Sequence, residues 1–225
     1  MINGMIFDIV TIFPKIFDSY FSESIIKRAV ETKKIRIKIW NLRDFTKDKH
    51  KKVDDKPYGG GAGMVFQVEP IMRALKSILR LRRPTSKFQK TSDVLIILLS
   101  AGGKQFNSKM ASDFAKKYKQ IILISGRYEG IDERIKKIIY ASGFKFQELS
   151  IGPYVLTGGE IPAMAVVDAV ARHIPGVLGK SESLEEKRYG VGVPAYTRPE
   201  VFSARGGSAF GGKNKKYKVP GILLP

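Results

Sequence analysis

The sequence of 225 residues contains no cysteine and only two histidines, His50 and His173. The absence of cysteine excludes a disulfide framework, a cysteine nucleophile and thiolate sites for zinc or iron–sulfur clusters. Two histidines argue against a histidine-based metal site, and no metal ligand is predicted. No apolar run reaches the roughly 18 residues that a membrane span needs, and the N-terminus lacks the basic segment of a signal peptide. These absences predict a soluble, cytoplasmic protein.

Acidic residues are also scarce, because 21 Asp and Glu stand against 40 Lys and Arg and leave a formal net charge of +19. A charge of this size exceeds what solubility requires and indicates a polyanionic partner. The hydrophobic content of 43% is too high for a disordered basic tail. The length corresponds to about 1.5 typical domains. We therefore predict either one large α/β domain or one domain with a modest appendage. The predicted polyanionic partner is RNA or DNA rather than a membrane.

Hydrophobic periodicity predicts short β-rich runs that alternate with amphipathic helices. Such alternation is typical of an α/β protein with a mostly parallel sheet, whose ligands bind at loops beyond the carboxyl ends of the strands. The predicted strands are Met5 to Phe13, Ile35 to Leu42, Val94 to Leu99, Ile121 to Ser125 and Phe144 to Leu149. The predicted helices are Pro14 to Glu31, Glu69 to Leu81, Asn107 to Tyr118, Asp132 to Tyr140 and Ile161 to His173. The stretches 43–66, 83–92, 150–159 and the chain after Gly179 match neither period and are predicted to be loops, a linker and an extended arm.

Residues 53–64, with the sequence VDDKPYGGGAGM, contain four glycines in five positions after a charged run. Glycine permits close approach of backbone amides to a ligand, as phosphate- or base-binding loops require. Tyr58 and the charges beside it favour a base-binding loop, because an aromatic ring stacks on a nucleobase. On glycine content alone, a flexible surface loop is the alternative. The candidate substrate contacts are Tyr58, Gly59, Gly60 and Gly61.

Two further loops follow predicted strands. Residues 126–134, GRYEGIDER, place an arginine, a tyrosine and several acids at the carboxyl end of a buried strand. An ordinary strand-to-helix loop with Asp132 as a cap accounts for Asp132 and Glu133, but not for the other side chains. Residues 150–160, SIGPYVLTGGE, offer backbone donors and acceptors beside an apolar wall, which suits the adenine and sugar of a cofactor.

The sequence resembles the bacterial tRNA (guanine-N1)-methyltransferases of the TrmD family. The resemblance is in the order along the chain of the three loops just described and of residues 43–45, 160–164, 174–179 and 196–201. The resemblance extends from the N-terminus to about Val201. It implies a SPOUT fold, which is a mostly parallel α/β sheet with a deep trefoil knot, and a homodimer that binds S-adenosyl-L-methionine. General topology rules argue against a knot, and periodicity does not predict one. The resemblance further implies a cofactor-binding domain at 1–178, with 179–225 as a linker and a short C-terminal arm that faces the tRNA.

The resemblance also assigns residues to the cofactor site, in three groups along the chain. Pro153 in the third group stands where relatives often have aspartate. Whether Mg²⁺ assists the reaction is left open by the sequence. The cofactor-binding residues implied are Leu99, Ser100, Ala101, Gly126, Tyr128, Glu129, Ile151, Gly152, Pro153, Tyr154, Val155, Leu156, Gly158, Gly159 and Pro162.

Methyl transfer to guanine N1, at tRNA position 37 in this family, removes a proton from that nitrogen. The reaction needs a general base and a cation that stabilises negative charge on O6. The resemblance implies Arg172 as the partner of O6, with a structural ion pair as the alternative role. An ungapped comparison places the family's acid at Lys187, which leaves Glu186 or Glu185 as candidate bases, or a base that has been lost.

Relatives continue past the equivalent of residues 219–225 into a helical domain that holds the tRNA, and this sequence stops there. We expect either a truncated chain or a compact variant that binds tRNA with its remaining basic surface. A catalytically weak RNA-binding homologue is the alternative function. A basic nucleic-acid binder without a cofactor would leave the loop at 150–160 unexplained. The candidate tRNA contacts are Arg73, Lys76, Arg80, Arg82, Arg83, Lys87 and Lys90 in an acid-free run, and Lys213, Lys215, Lys216 and Lys218 in the tail.

Overall fold

A computed structural model describes residues 4–80, 91–179, 184, 192, 194–204 and 215–223. Contacts divide the chain into two units, Met1–Leu184 and Glu185–Pro225. The domain boundary after residue 178 stays a prediction. The strands are β1 Met5–Thr11, β2 Ile35–Asn41, β3 Asp54–Asp55, β4 Val65–Phe66, β5 Val94–Gln105, β6 Gln120–Ser125, β7 Lys145–Ser150, β8 Val201–Ala204 and β9 Lys215–Lys218. The helices are α1 Asp18–Phe21, α2 Ser24–Glu31, α3 Val68–Arg80, α4 Ser108–Lys117, α5 Arg134–Ala141 and α6 Glu160–Ala171.

The first unit is built on a five-stranded sheet with the order β2-β1-β6-β5-β7, in which each pair of neighbouring strands is parallel. The central strands β5 and β6 are rich in Val, Ile and Leu because both of their faces are covered. Alternate residues enter different cores. Ile121 and Leu123 pack with α2, α4 and α6, whereas Ile122 and Ile124 pack with α3 and α5 on the opposite face. The predicted mixed α/β architecture with a mostly parallel sheet is confirmed.

Two predicted segments differ from the structure. The single helix expected at Pro14 to Glu31 is a 3₁₀ turn, Pro14–Phe17, followed by α1 and α2. Extended backbone at Glu23 and a φ of 53° at Ser24 separate the two helices. Phe21 of α1 and Ile25 of α2 pack against the same core, so the apolar periodicity continues across the break and does not reveal it. The stretch 43–66, expected to be irregular, contains the antiparallel pair β3 and β4, whose two-residue strands are too short for a periodic signal.

Strand β5 extends beyond its predicted end at Leu99 and contains an irregularity. Leu99 and Lys104 both pair with Leu149 of β7, so residues 100–103 leave the ladder between them. A Cβ atom on Gly103 would lie 2.6 Å from the backbone nitrogen of Leu149, and only glycine fits that close approach. This bulge displaces the chain at the carboxyl end of the sheet, next to the candidate site described below.

The second unit contains the antiparallel pair β8 and β9, and the Val219 amide donates a hydrogen bond to the Glu200 carbonyl at 3.0 Å. The extended arm expected after Gly179 therefore includes a short two-stranded sheet. Among the described residues, the helices are too short or too polar to cross a membrane.

Candidate functional site

A cleft of about 330 Å³ opens at the carboxyl ends of β5, β6 and β7. Because the strands are parallel, the three segments that follow them meet at one edge of the sheet. Thirteen of the fifteen residues predicted for the cofactor line this cleft, whereas Gly152 and Pro153 belong to the third loop but do not line it. The thirteen are Leu99, Ser100, Ala101, Gly126, Tyr128, Glu129, Ile151, Tyr154, Val155, Leu156, Gly158, Gly159 and Pro162.

The second and third loops of the cleft are joined to each other by their backbones. Arg127 and Gly158 form an antiparallel bridge, and the Gly159 amide donates to the Gly126 carbonyl at 2.9 Å. A Cβ atom on Gly159 would lie 2.7 Å from the Cα of Ser125. Glycine at position 159 is therefore what allows the start of α6 to approach the end of β6 this closely.

A buried carboxylate holds these two loops to the end of β1. Glu160, only 2% exposed, accepts a hydrogen bond at Oε1 from the Thr11 hydroxyl (2.8 Å) and pairs at Oε2 with Arg127 Nε (3.2 Å). The Arg127 guanidinium also lies 4.4 Å from the centre of the Phe13 ring. Sequence reasoning missed this ion pair, although an acid directly after two glycines at a helix start and the arginine of GRYEG were its visible signals.

Tyr128 lies on the cleft wall, and its backbone conformation is strained. Its φ of 59° lies in the left-handed region, which costs a non-glycine residue about 1 kcal/mol or more. The edge of its ring contacts Phe66, with the ring centres 5.9 Å apart. Strained residues of this kind cluster at ligand sites, because the surrounding structure holds them in place for binding.

The glycine-rich segment is attached to the cleft through the hairpin formed by β3 and β4. The Phe66 amide donates to the Gly130 carbonyl (3.0 Å), and the Glu129 amide donates to the Met64 carbonyl (3.1 Å). Tyr58 is 99% exposed, and the glycines at 59–61 have φ between 81° and 118°, which requires glycine. The structure thus places the four predicted substrate contacts beside the cleft rather than in its wall.

The cleft wall also contains acids that the sequence analysis did not assign. Glu133 and Glu148 line it, and Lys136 Nζ lies 2.7 Å from Glu133 Oε1 and 2.8 Å from Glu148 Oε2. Burial by itself would lower the pKa of the Lys136 ammonium, but its hydrogen bonds to the two carboxylates outweigh that effect and raise the pKa. Together with Glu129, the wall has more carboxylates than this one ammonium neutralises.

Arg172 follows the last residue of α6 and is partly buried. Its amide donates to the Asp168 carbonyl at 3.1 Å, which continues the helix. Within the described ranges, no hydrogen bond or ion pair joins its guanidinium to another residue. Glu185, Glu186 and Lys187 lie outside the described residues. The structure therefore neither joins Arg172 to these acids nor separates it from them.

The acid-free run predicted to contact tRNA is described only in part. Arg73 pairs with Glu69 and donates from Nη1 to the Phe45 carbonyl at 3.3 Å, so it braces α3 against the preceding turn. Lys76, Lys216 and Lys218 are exposed. Within the described ranges, no group of three or more acidic or histidine side chains is placed to hold a metal ion. The predicted tRNA contacts whose side chains lie outside the described residues are Arg80, Arg82, Arg83, Lys87, Lys90, Lys213 and Lys215.

Comparison with known proteins gives a consistent result. Residues 5–208 match the family model described as tRNA (Guanine-1)-methyltransferase TrmD. A tRNA (guanine-N(1)-)-methyltransferase of Dictyoglomus turgidum is 49% identical over 220 residues, which cover 96% of this chain and 78% of the relative. Proteins with the same name from Dehalococcoides mccartyi (46% identity; 88% of this chain, 76% of the relative) and Clostridioides difficile (45% identity; 98% of this chain, 86% of the relative) also match. The chain therefore belongs to the TrmD family of tRNA (guanine-1)-methyltransferases.

Proposed function

We propose that this protein is a cytoplasmic enzyme that transfers a methyl group from S-adenosylmethionine to N1 of the guanosine at tRNA position 37, next to the anticodon. The main support is the single cleft in which the structure gathers three loops that are distant in sequence. Family membership and the names of the relatives favour this function over the catalytically weak RNA-binding alternative.

The residues of the cleft fit S-adenosylmethionine. The volume of about 330 Å³ lies within the roughly 300–1,000 Å³ of small-molecule sites. Residues 151–156 would hold the adenine and ribose with backbone groups and apolar side chains, and the carboxylates of the wall would favour a cationic ligand. When bound, this cofactor supplies an electrophilic methyl group on a sulfonium.

Gly159→Ala should lower cofactor affinity at least tenfold and destabilise the fold by about 1–3 kcal/mol, because the added Cβ meets backbone atoms of β6 that cannot move aside. Calorimetric titration with S-adenosylmethionine and urea unfolding measure the two effects. Gly102→Ala is the matched control, since Gly102 also lines the cleft but its Cβ would meet only the Ser100 hydroxyl, at 3.9 Å. If the two variants lost cofactor affinity and stability equally, close packing of Gly159 against β6 would not be the cause.

The chain's own residues would supply the remaining chemistry. As the N1 proton leaves, negative charge develops on guanine O6, and we assign its stabilisation to Arg172. A carboxylate must accept the N1 proton, and Glu185 and Glu186 are the proposed candidates. The assignment rests on the resemblance to the TrmD family, and Arg172 lies within the residues 5–208 that match its family model.

Glu186→Gln and Glu185→Gln, made separately, should differ in turnover. The variant that loses the base should show a kcat lower by about 100-fold or more, since general base catalysis contributes roughly 10²–10⁴-fold. The other variant should keep its rate. Single-turnover methyl transfer measured from pH 6 to pH 9 separates loss of the base from weaker tRNA binding. Unchanged rates in both variants would exclude both acids.

We further propose the SPOUT fold with a deep trefoil knot. Strand β5 lies between β6 and β7, so the segment that leaves β7 must cross the end of β5 to pair with the loop after β6. This crossing supports the proposal, because a knot requires one segment to pass another at this edge. A crystal structure traced through residues 81–90 would test the full path.

A homodimer is proposed on the exposed apolar side chains around α6. Ile161 on α6 is 54% exposed, and Phe13, Ile16 and Tyr20 in the segment before α2 also expose apolar surface, with the Tyr20 hydroxyl bonded to Asp168 of α6. Apolar patches of this kind mark protein interfaces. Ile161→Glu should convert the dimer to a monomer in sedimentation experiments, whereas Ile138→Glu on α5 should not. A monomeric wild-type protein would contradict the proposal.

Tritiated methyl incorporation into tRNA transcripts tests the function as a whole. A transcript with guanosine at position 37 should accept label as 1-methylguanosine, identified after digestion to nucleosides, and a transcript with adenosine there should not. Label that does not depend on this guanosine would contradict the assignment. Saturable binding of cofactor and tRNA without label would favour the RNA-binding alternative. Titration of the same assay with EDTA measures any contribution of Mg²⁺.

A further inference from the structure

Residues 47–52, here called the basic turn, contain four lysines, His50 and a single acid, Asp48, and all six are exposed. Asp48 Oδ2 accepts hydrogen bonds from the amides of His50 and Lys52, each at 3.1 Å, and the Lys51 amide donates to the Asp48 carbonyl at 3.0 Å. The acid therefore organises the backbone of the turn. The cations around it stay in contact with solvent.

The basic turn is anchored at both ends. It lies between two buried residues, Leu42 and Val53. Arg43 Nη1 donates to the Lys51 carbonyl at 3.4 Å, and the Asn41 side chain caps the 3₁₀ turn Leu42–Phe45 that precedes the segment. These contacts hold the backbone that carries the lysines, so that less backbone entropy is lost when the turn binds a partner.

Lys51 adopts a conformation that lysine disfavours. Its φ is 53°, in the left-handed region where glycine or asparagine is the usual residue. Its ion pair with Asp44 is 3.8 Å long, and both side chains are more than half exposed, so this pair does not explain why lysine is present. A strained residue without a structural reason points to use of its side chain in binding.

The basic turn is close to the cleft. The carbonyl of Val53, the next residue, accepts a hydrogen bond from the Gln67 amide at 2.8 Å, and β4 in turn bonds to Gly130, which lines the cleft. Two such steps across paired backbone segments, at about 4.8 Å each, place Val53, which follows the basic turn, about 10 Å from Gly130. A nucleic-acid strand with one nucleotide at the cleft would therefore bring neighbouring phosphates to the lysines.

We infer that the basic turn binds the phosphate backbone of the tRNA beside the target guanosine, an inference that rests on the proposed function. The basic turn is separate from the two basic segments, 73–90 and 213–218, that the sequence suggested for tRNA. Each lysine contacts a phosphate as a point charge and releases counterions, so the turn contributes affinity and position rather than base specificity.

Binding of a labelled tRNA transcript across a series of salt concentrations tests this inference. Replacing Lys47, Lys49 and Lys52 with alanine should reduce the slope of log affinity against log salt by about 2, at about 0.7 per lost contact. At 0.1 M salt the same relation gives roughly a 100-fold loss of affinity. The control replaces the exposed Lys109, Lys116 and Lys117 of α4, on the opposite face of the sheet, and should leave the slope unchanged. Equal slopes for the two triple variants would overturn the inference.

Lys51→Gly separates binding from folding. Glycine relieves the strained φ, so the melting temperature should stay the same or rise, while tRNA affinity should fall about fivefold with the loss of one contact. A gain in stability with unchanged affinity would overturn the role of Lys51. Wild-type protein that binds no tRNA would overturn the proposed function as well. If the basic-turn variants bind tRNA as the wild type does, the inference about the turn is wrong but the proposed function stands. Cofactor titration and methyl transfer at saturating tRNA test that function independently.

Discussion

Arg172→Ala should lower kcat for methyl transfer to tRNA by about 100-fold to 1,000-fold, the effect of removing one donor that stabilises a developing oxyanion. Arg172 is partly buried and directly follows the last residue of α6. Its proposed partner is guanine O6, whose negative charge grows only during the reaction. The affinity for S-adenosylmethionine should therefore stay within about twofold of wild type, because ground-state binding does not use this interaction.

Arg172→Lys should recover part of the rate, because a lysine keeps the charge but not the planar pair of donors. Arg28→Ala on α2 removes an exposed arginine outside the cleft lining and serves as the matched control. Single-turnover rates and calorimetric titrations measure the two quantities separately. Equal losses of turnover and cofactor affinity in Arg172→Ala would remove this residue from the catalytic role.

Arg127→Met should destabilise the protein by about 3–5 kcal/mol, because it leaves the buried Glu160 carboxylate without its cation. For a chain of this size, that loss corresponds to a fall in melting temperature of about 6–20 °C. Cofactor affinity should fall as well, since the same ion pair joins the two loops of the cleft. Thermal unfolding and calorimetric titration of the variant measure both effects.

The double variant Arg127→Met with Glu160→Gln provides the control for this prediction. It removes both charges, and the glutamine still offers an acceptor to the Thr11 hydroxyl, so the double variant should be more stable than Arg127→Met alone. A double variant as unstable as the sum of the two single changes would show that the two side chains act independently. In that case, the ion pair would not be the element that holds the loops.

Local patterns predicted much of the fold. The strands β1, β2, β6 and β7 begin and end within two residues of their predicted bounds, because continuous or alternating apolar runs mark strands that are buried on one or both faces. The break between α1 and α2 was missed because Phe21 and Ile25, on either side of it, pack against the same core. The bulge at 100–103 was missed because it depends on close approach to Leu149, a contact that periodicity does not contain.

By itself, the sequence determined the class of partner, the α/β architecture and the residues of the three loops, since charge, hydrophobic period and motif are properties of neighbouring residues. The tertiary structure decided how those loops meet. It placed the buried Glu160 between Thr11 and Arg127, moved Tyr58 and its glycines to the edge of the cleft, and brought a lysine-rich turn near the same wall. These contacts join residues that are distant in sequence, so only the three-dimensional path of the chain determines them. The loops of the cleft meet because parallel strands end at one edge of the sheet.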